Sequence, residues 1–171
     1  MTSKKINLAE LICQAIAITL LFIPGMFNWE HWEEIDWGTW QLALRMPITF
    51  FHAAGNTNEV LGYLIATIMF ANLAILILYI FKDVPKKYEK IYLILPCASV
   101  GLMVLFAVLA GIRNDYGYCA PTNWLFYVDM LFLSATTVLA FMKLSKKVNR
   151  EDSVKAVIAP TDSVEELAKH K

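Results

Sequence analysis

The chain has little charge and few of the groups that carry chemistry. Of its 171 residues 18% are charged and 58% hydrophobic, whereas a soluble domain has about one quarter charged. That balance excludes an ordinary water-soluble design. The histidines, His31, His52 and His170, fall outside every long apolar run, so a haem held between helices by paired histidines is excluded. Cys13, Cys97 and Cys119 make no CxxC pair and no metal-ligand spacing. Only Cys119 is expected on the outer side, so an outer intramolecular disulfide is excluded by count, and the cysteines read as packing residues. There is no P-loop, HExxH or GxSxG, no arginine repeat of voltage-sensor type and no carboxylate chain suited to a proton pump. No catalytic residue and no cofactor is expected, and the chain does not read as an enzyme. The 15 basic and 15 acidic residues cancel, which offers nothing to nucleic acid and no polybasic lipid anchor.

What is present is apolar length. Mean hydropathy is +0.51, and the surplus lies in four blocks, residues 7–27, 58–81, 91–112 and 124–142. Each is long enough to cross roughly 30 Å of hydrocarbon at about 1.5 Å per residue. They leave no room for a separate soluble domain. The first block is not a cleavable signal: Glu10 and Gln14 interrupt it and Pro24-Gly25-Met26-Phe27 is no A-x-A-like site. Lysine and arginine are partitioned, 13 of the 15 lying in the start, the loop over residues 82–90 and the tail, with only Arg45 and Arg113 elsewhere. By the positive-inside rule both termini are cytoplasmic. Tyr116, Tyr118 and Trp124 then line the outer interface, and Tyr79, Tyr88 and Tyr92 the inner one. The expected fold is an all-α integral membrane protein of a plasma or bacterial inner membrane, a four-helix bundle over residues 1–150. A polar cytoplasmic tail, residues 151–171, follows it.

Residues 28–57 form the one long segment that is neither span nor tail, and they hold four of the five tryptophans. Residues 41–50 alternate apolar and polar with the period of a strand, in which Pro47 would demand an edge. Trp29, Trp32, Trp37, Trp40 and Leu44 instead follow three- to five-residue steps that fit an interfacial helix. A lone strand has no pairing partner elsewhere in the chain, so an interfacial, helical outer segment between helices 1 and 2 is expected. Trp37-Gly38-Thr39-Trp40, in the first outer loop of a four-span chain, resembles the W-G-x-W element of claudin-type proteins. The resemblance covers the topology and this tetrapeptide. It implies a small outer sheet and an adhesion-type role, although the cysteine pair of claudin-type loops is missing here.

Several residues are candidates for function. Glu30, Glu33, Glu34 and Asp36 make an acidic patch. With His31, His52 and Glu59 they offer carboxylates and imidazoles but not the spacing of a metal site, so the patch is read as a water-facing surface that attracts a cationic partner. Trp29, Trp32, Trp37 and Trp40 are the expected interface anchors. Asp129 lies about 8 Å inside the outer end of the fourth span, a depth that demands a partner or a wet cavity. Arg113 is the natural ion-pair partner and Arg45 the second. Asn72, Gln14 and Thr19 are the remaining intramembrane polar groups, read as hydrogen bonds between helices or, with Asp129, as an ion or substrate path. Gly62-x-x-x-Ala66 and Ala107-x-x-x-Gly111 fit close helix approach.

The resulting expectation is a small non-enzymatic membrane protein acting through protein or lipid contacts, as an accessory subunit, an assembly factor or a claudin-like adhesion-type unit. Its partners are the bilayer and a membrane protein or further copies of itself. A small transporter or channel-forming subunit using Asp129, Asn72 and Gln14 is the alternative.

Overall fold

The computed structural model describes residues 3–36, 39–80, 84–112, 118–120 and 124–158. The helices are α1 (Ser3–Leu20), α2 (Phe50–Thr57), α3 (Glu59–Leu78), α4 (Glu89–Ile112) and α5 (Trp124–Ile158), with a single 3₁₀ turn at Lys86–Tyr88. The strands are β1 (Phe27–Asp36), β2 (Thr39–Ile48) and β3 (Tyr118–Ala120).

Among the described residues, Glu59–Leu78, Lys86–Gly111 and Trp124–Asn149 are long and apolar enough to cross a membrane. α1 is 18 residues long and carries Lys4, Lys5 and Glu10. It packs against α5 and α3, while α4 packs against both of those, so the helices close a ring. The ring turns an apolar face outward, with Leu64, Phe70 and Ile77 on α3, Ile94 and Val108 on α4, and Leu131, Val138 and Phe141 on α5 all exposed. Glu10, Gln14, Asn72, Ser99, Asp129 and Thr136 are turned inward. This reverses the arrangement of a soluble domain and suits a surrounding apolar solvent.

Phe27–Asp36 and Thr39–Ile48 are the strands of a hairpin, and the expectation of an interfacial helix there is corrected. β1 pairs antiparallel with β2 from Phe27↔Ile48 to Asp36↔Thr39. A third strand comes from the other loop, where β3 pairs antiparallel with β1 through Asn28↔Ala120, Trp29↔Cys119 and Glu30↔Tyr118. The strand order β2-β1-β3 supplies the partner that the chain appeared to lack. It also places Pro47 on an edge strand, the position in a sheet that tolerates a residue without an N–H.

Local chemistry fixes the hairpin to the helices. Leu21, Phe22 and Ile23 donate to the carbonyls three residues back, Ile18, Thr19 and Leu20, at 3.1–3.2 Å, which tightens the end of α1 ahead of Pro24. Gly25 then takes φ 109, a conformation open to glycine, and its N–H donates to the Ile48 carbonyl at 3.1 Å. Phe50 N–H donates to the Leu21 carbonyl at 3.2 Å. The helix end and both strand bases are thus stitched together.

A short helix, α2, precedes the second apolar block, which forms α3. Thr49 caps α2 by accepting from the His52 N–H at 3.2 Å. Asn58, in extended backbone at φ −156, caps α3 by accepting from the Leu61 N–H at 3.0 Å. α2 folds back onto α3 where Gly62 is buried: a Cβ there would stand 2.3 Å from that of Ala54. Gly62 therefore serves close approach, between α2 and α3. Gly111 has nothing within 4 Å of such a position and supports no close contact, contrary to the expectation for Ala107-x-x-x-Gly111.

Two apolar clusters result. The larger lies under the sheet, where Phe27 meets Phe50, Phe106 and Phe126 with ring centroids 6.2, 5.5 and 5.7 Å apart. The smaller lies at the opposite end around Leu76, Val84, Tyr92 and Ala140. α5 runs well past residue 142, to Ile158, and at about 52 Å it exceeds the hydrocarbon thickness.

Candidate functional site

The helix interior is organised as a polar column, built by sequence spacing. On α1, Asn7, Glu10 and Gln14 lie three and four residues apart and share one buried face. On α5, Phe126, Asp129, Leu133, Thr136, Ala140 and Lys143 do the same over five turns. α4 adds Tyr92 and Ser99, and α3 adds Asn72.

At the end away from the sheet, Asn7 donates through Nδ2 to the carbonyls of Ile80 at 2.9 Å and Tyr79 at 3.4 Å, occupying acceptors that the end of α3 leaves free. One turn further in, Glu10 is fully buried and its Oε2 accepts from the Tyr92 hydroxyl. Lys143 Nζ donates to the same hydroxyl at 3.2 Å and sits 4.7 Å from the ring centroid. Three helices are tied through one phenol, and the Lys143 ammonium offsets the Glu10 charge within a buried setting. Below this group, Lys147 bridges Glu89 and the Val84 carbonyl, the latter at 2.7 Å.

Midway, Asn72 Nδ2 donates to Gln14 Oε1 at 3.0 Å and Gln14 Nε2 donates to the Met69 carbonyl at 3.1 Å. The hydroxyls of Ser99 and Thr136 donate to carbonyls of their own helices, Leu95 and Phe132, at 3.0 Å each. Nearest the sheet, Asp129 is fully buried and neither carboxylate oxygen has a hydrogen-bond partner among the described residues.

Gln14 and Asn72 meet and bond to each other, as helix-linking groups do. Thr19 is turned away from the interior, exposed, with its hydroxyl on the Ala15 carbonyl at 2.8 Å. Arg45 does not reach Asp129. It pairs with Glu30, its cross-strand neighbour, at 3.1 Å. Glu30 itself is buried at 5% exposure, so this member of the acidic patch does not face water. Arg113 and Trp37 lie outside the described residues, as do the side chains of His31, Trp32, Trp40, Glu33, Glu34 and Asp36. The backbone of His31, Trp32, Glu33, Glu34, Asp36 and Trp40 is strand. Trp29 is half-buried and packs against the larger apolar cluster. His52 and Glu59 are exposed at the starts of α2 and α3. Among the described residues no three His, Cys, Asp or Glu side chains come together.

Sequence reasoning treated Glu10 only as a break in an apolar run, Tyr92 as an interfacial ring and Lys143 as part of a basic tail. Tyr92 is instead 1% exposed and Lys143 9%. The signal was in the spacing of Asn7, Glu10 and Gln14 on α1 and of Asp129, Thr136 and Lys143 on α5. Polar residues at such steps on two helices announce a shared polar interface.

No protein-family model, no curated protein and no solved structure matches the chain.

Proposed function

We propose that this is a small polytopic protein of a plasma or bacterial inner membrane, with four spans and both termini in the cytoplasm. It acts without catalysis, through contacts that its outer sheet makes with a partner membrane protein. The observation that carries this reading is the hairpin. β1 and β2 are ten residues each, yet β3 pairs only with Asn28–Glu30. Among the described residues nothing but the hairpin itself pairs with the later part of β1. That part is a two-stranded ribbon, marginal by itself in water, and it carries Trp32, Glu33, Glu34, Asp36 and, across the ladder, Trp40. Aromatic anchors beside acidic groups make a surface of the kind that binds and orients a partner. α1 completes the four spans in this reading: its Glu10 charge is met by Lys143, and Lys4 and Lys5 mark its cytoplasmic end.

Cross-linking with mass spectrometry on gently solubilised native membranes tests the proposal. A hetero-partner linked to residues 29–51, and lost in Trp32→Ala with Trp40→Ala, is the expected result. Recovery of the chain alone or only with itself refutes the partner reading.

The second reading, a small transporter or channel-forming subunit, is favoured by one observation, the buried carboxylate of Asp129, which has no hydrogen-bond partner among the described residues. Gln14 and Asn72 are bonded to each other, and the Asn72 Oδ1 is buried without a hydrogen-bond partner among the described residues. Solute flux in liposomes that Asp129→Asn abolishes would establish this second reading.

A further inference from the structure

Asp129 and Glu10 are both buried in the polar column, and only one of them is neutralised. Glu10 has the Tyr92 hydroxyl and the Lys143 ammonium beside it. Asp129 has no donor and no cation among the described residues, and its exposure is 0%. Its neighbours along the buried face of α5, Phe126 and Leu133, belong to the apolar cluster under the sheet. From the buried faces of the helices packed against α5, that cluster takes Ala17, Ile18 and Leu20 of α1 and Met103, Phe106, Ala107 and Ala110 of α4, all apolar. The titratable groups on those faces are Glu10 on α1 and Tyr92 on α4, with Lys143 on α5 itself. They are joined through the Tyr92 hydroxyl about 20 Å along the helix from Asp129, fourteen residues at 1.5 Å each. In the sheet above, Glu30 is paired with Arg45. A charged carboxylate buried in apolar packing without a donor is costly.

We propose that Asp129 is a proton-binding site of the sheet-side half of the bundle, the proton being the one cation that the packed apolar surroundings admit. Hydronium from the sheet side gives its proton to a carboxylate oxygen, leaving water and a neutral acid, and no electron moves. The site is coupled to the sheet through two contacts: Phe126 lies one turn away on the same face, and its ring touches that of Phe27, the first residue of β1. Proton release puts a charge into the cluster that Phe27, Phe106 and Phe126 share, so the base of β1 reports on the state of Asp129. The inference rests on the membrane reading of α5 and is independent of what the outer sheet binds.

Infrared difference spectroscopy on the full chain reconstituted in phosphatidylcholine liposomes, with aspartate labelled by ¹³C at the side-chain carboxyl, tests it. At neutral pH a carboxylic-acid C=O band is expected that shifts with the label, disappears in Asp129→Asn and persists in Glu10→Gln. Replacing sodium by choline leaves it unchanged. A labelled wild-type protein without this band at neutral pH overturns the proposal, and needs no variant to fold. A band that changes with sodium overturns it too, in favour of a metal cation. A chain that does not float with the liposomes fails the membrane reading instead, before any spectrum is taken.

Discussion

Glu10 and Lys143 are the residues whose removal the interior tolerates least. Glu10 is fully buried, with Tyr92 as donor and Lys143 as cation. Glu10→Ala leaves a buried ammonium without its counter-charge, and a loss of about 3 kcal/mol is expected. Glu10→Gln, which keeps an acceptor for the phenol, costs less. Thermal unfolding in mild detergent, followed by circular dichroism, orders the two variants. The Gln14 and Asn72 pair is a weaker tie of about 1 kcal/mol. In a double-mutant cycle, Asn72→Leu destabilises the wild type more than it destabilises Gln14→Leu, and additive effects would show that the amides do not act together. Asp129 belongs at this scale as well: because it has no partner among the described residues, Asp129→Asn breaks no tie and leaves thermal stability close to that of the wild type.

Between elements, the closest approach is that of α2 to α3. A methyl group at Gly62 would overlap the Ala54 side chain at 2.3 Å. Gly62→Ala is expected to destabilise by about 1–3 kcal/mol, with Ala54→Gly restoring much of the loss when combined with it. Rescue read in the same unfolding assay separates a steric effect from a change in helix propensity. This contact also shows what could be read in advance. The apolar blocks and small residue Gly62 were visible, because period and residue size are local properties. That Gly62 faces a separate short helix was not, since Thr49 and Asn58 had to be recognised as two successive caps. The sheet was missed for a related reason. The alternation in residues 41–50 was present and Pro47 correctly asked for an edge, but β3 is three residues long and lies in a different loop. No window on the sequence contains both partners. Glu30 was misplaced with it, because its burial depends on standing opposite Arg45 in the ladder.

For the whole molecule, the reversal of polarity makes the firmest prediction: the apolar faces of α3, α4 and α5 keep the chain in the membrane fraction after alkaline carbonate extraction. A reporter fused after Lys171 is expected to be active in the cytoplasm and silent outside, and the opposite result would reverse the proposed topology. The pairing of β3 with β1 has a further consequence, one of timing. Asn28 meets Ala120, so during synthesis the hairpin leaves the ribosome long before its third strand exists. With about ninety residues between them, at about 5–20 residues per second, the wait is roughly 5–20 s. Through that interval the Asn28–Glu30 part of β1, at the base of the hairpin, carries an open edge of the kind that pairs with foreign strands. Nascent chains stalled before residue 118 should therefore be caught by strand-binding chaperones or by one another, while chains stalled after α5 has inserted should not. Assembly of this small protein is governed by its longest-range contact, whatever the speed of its helices.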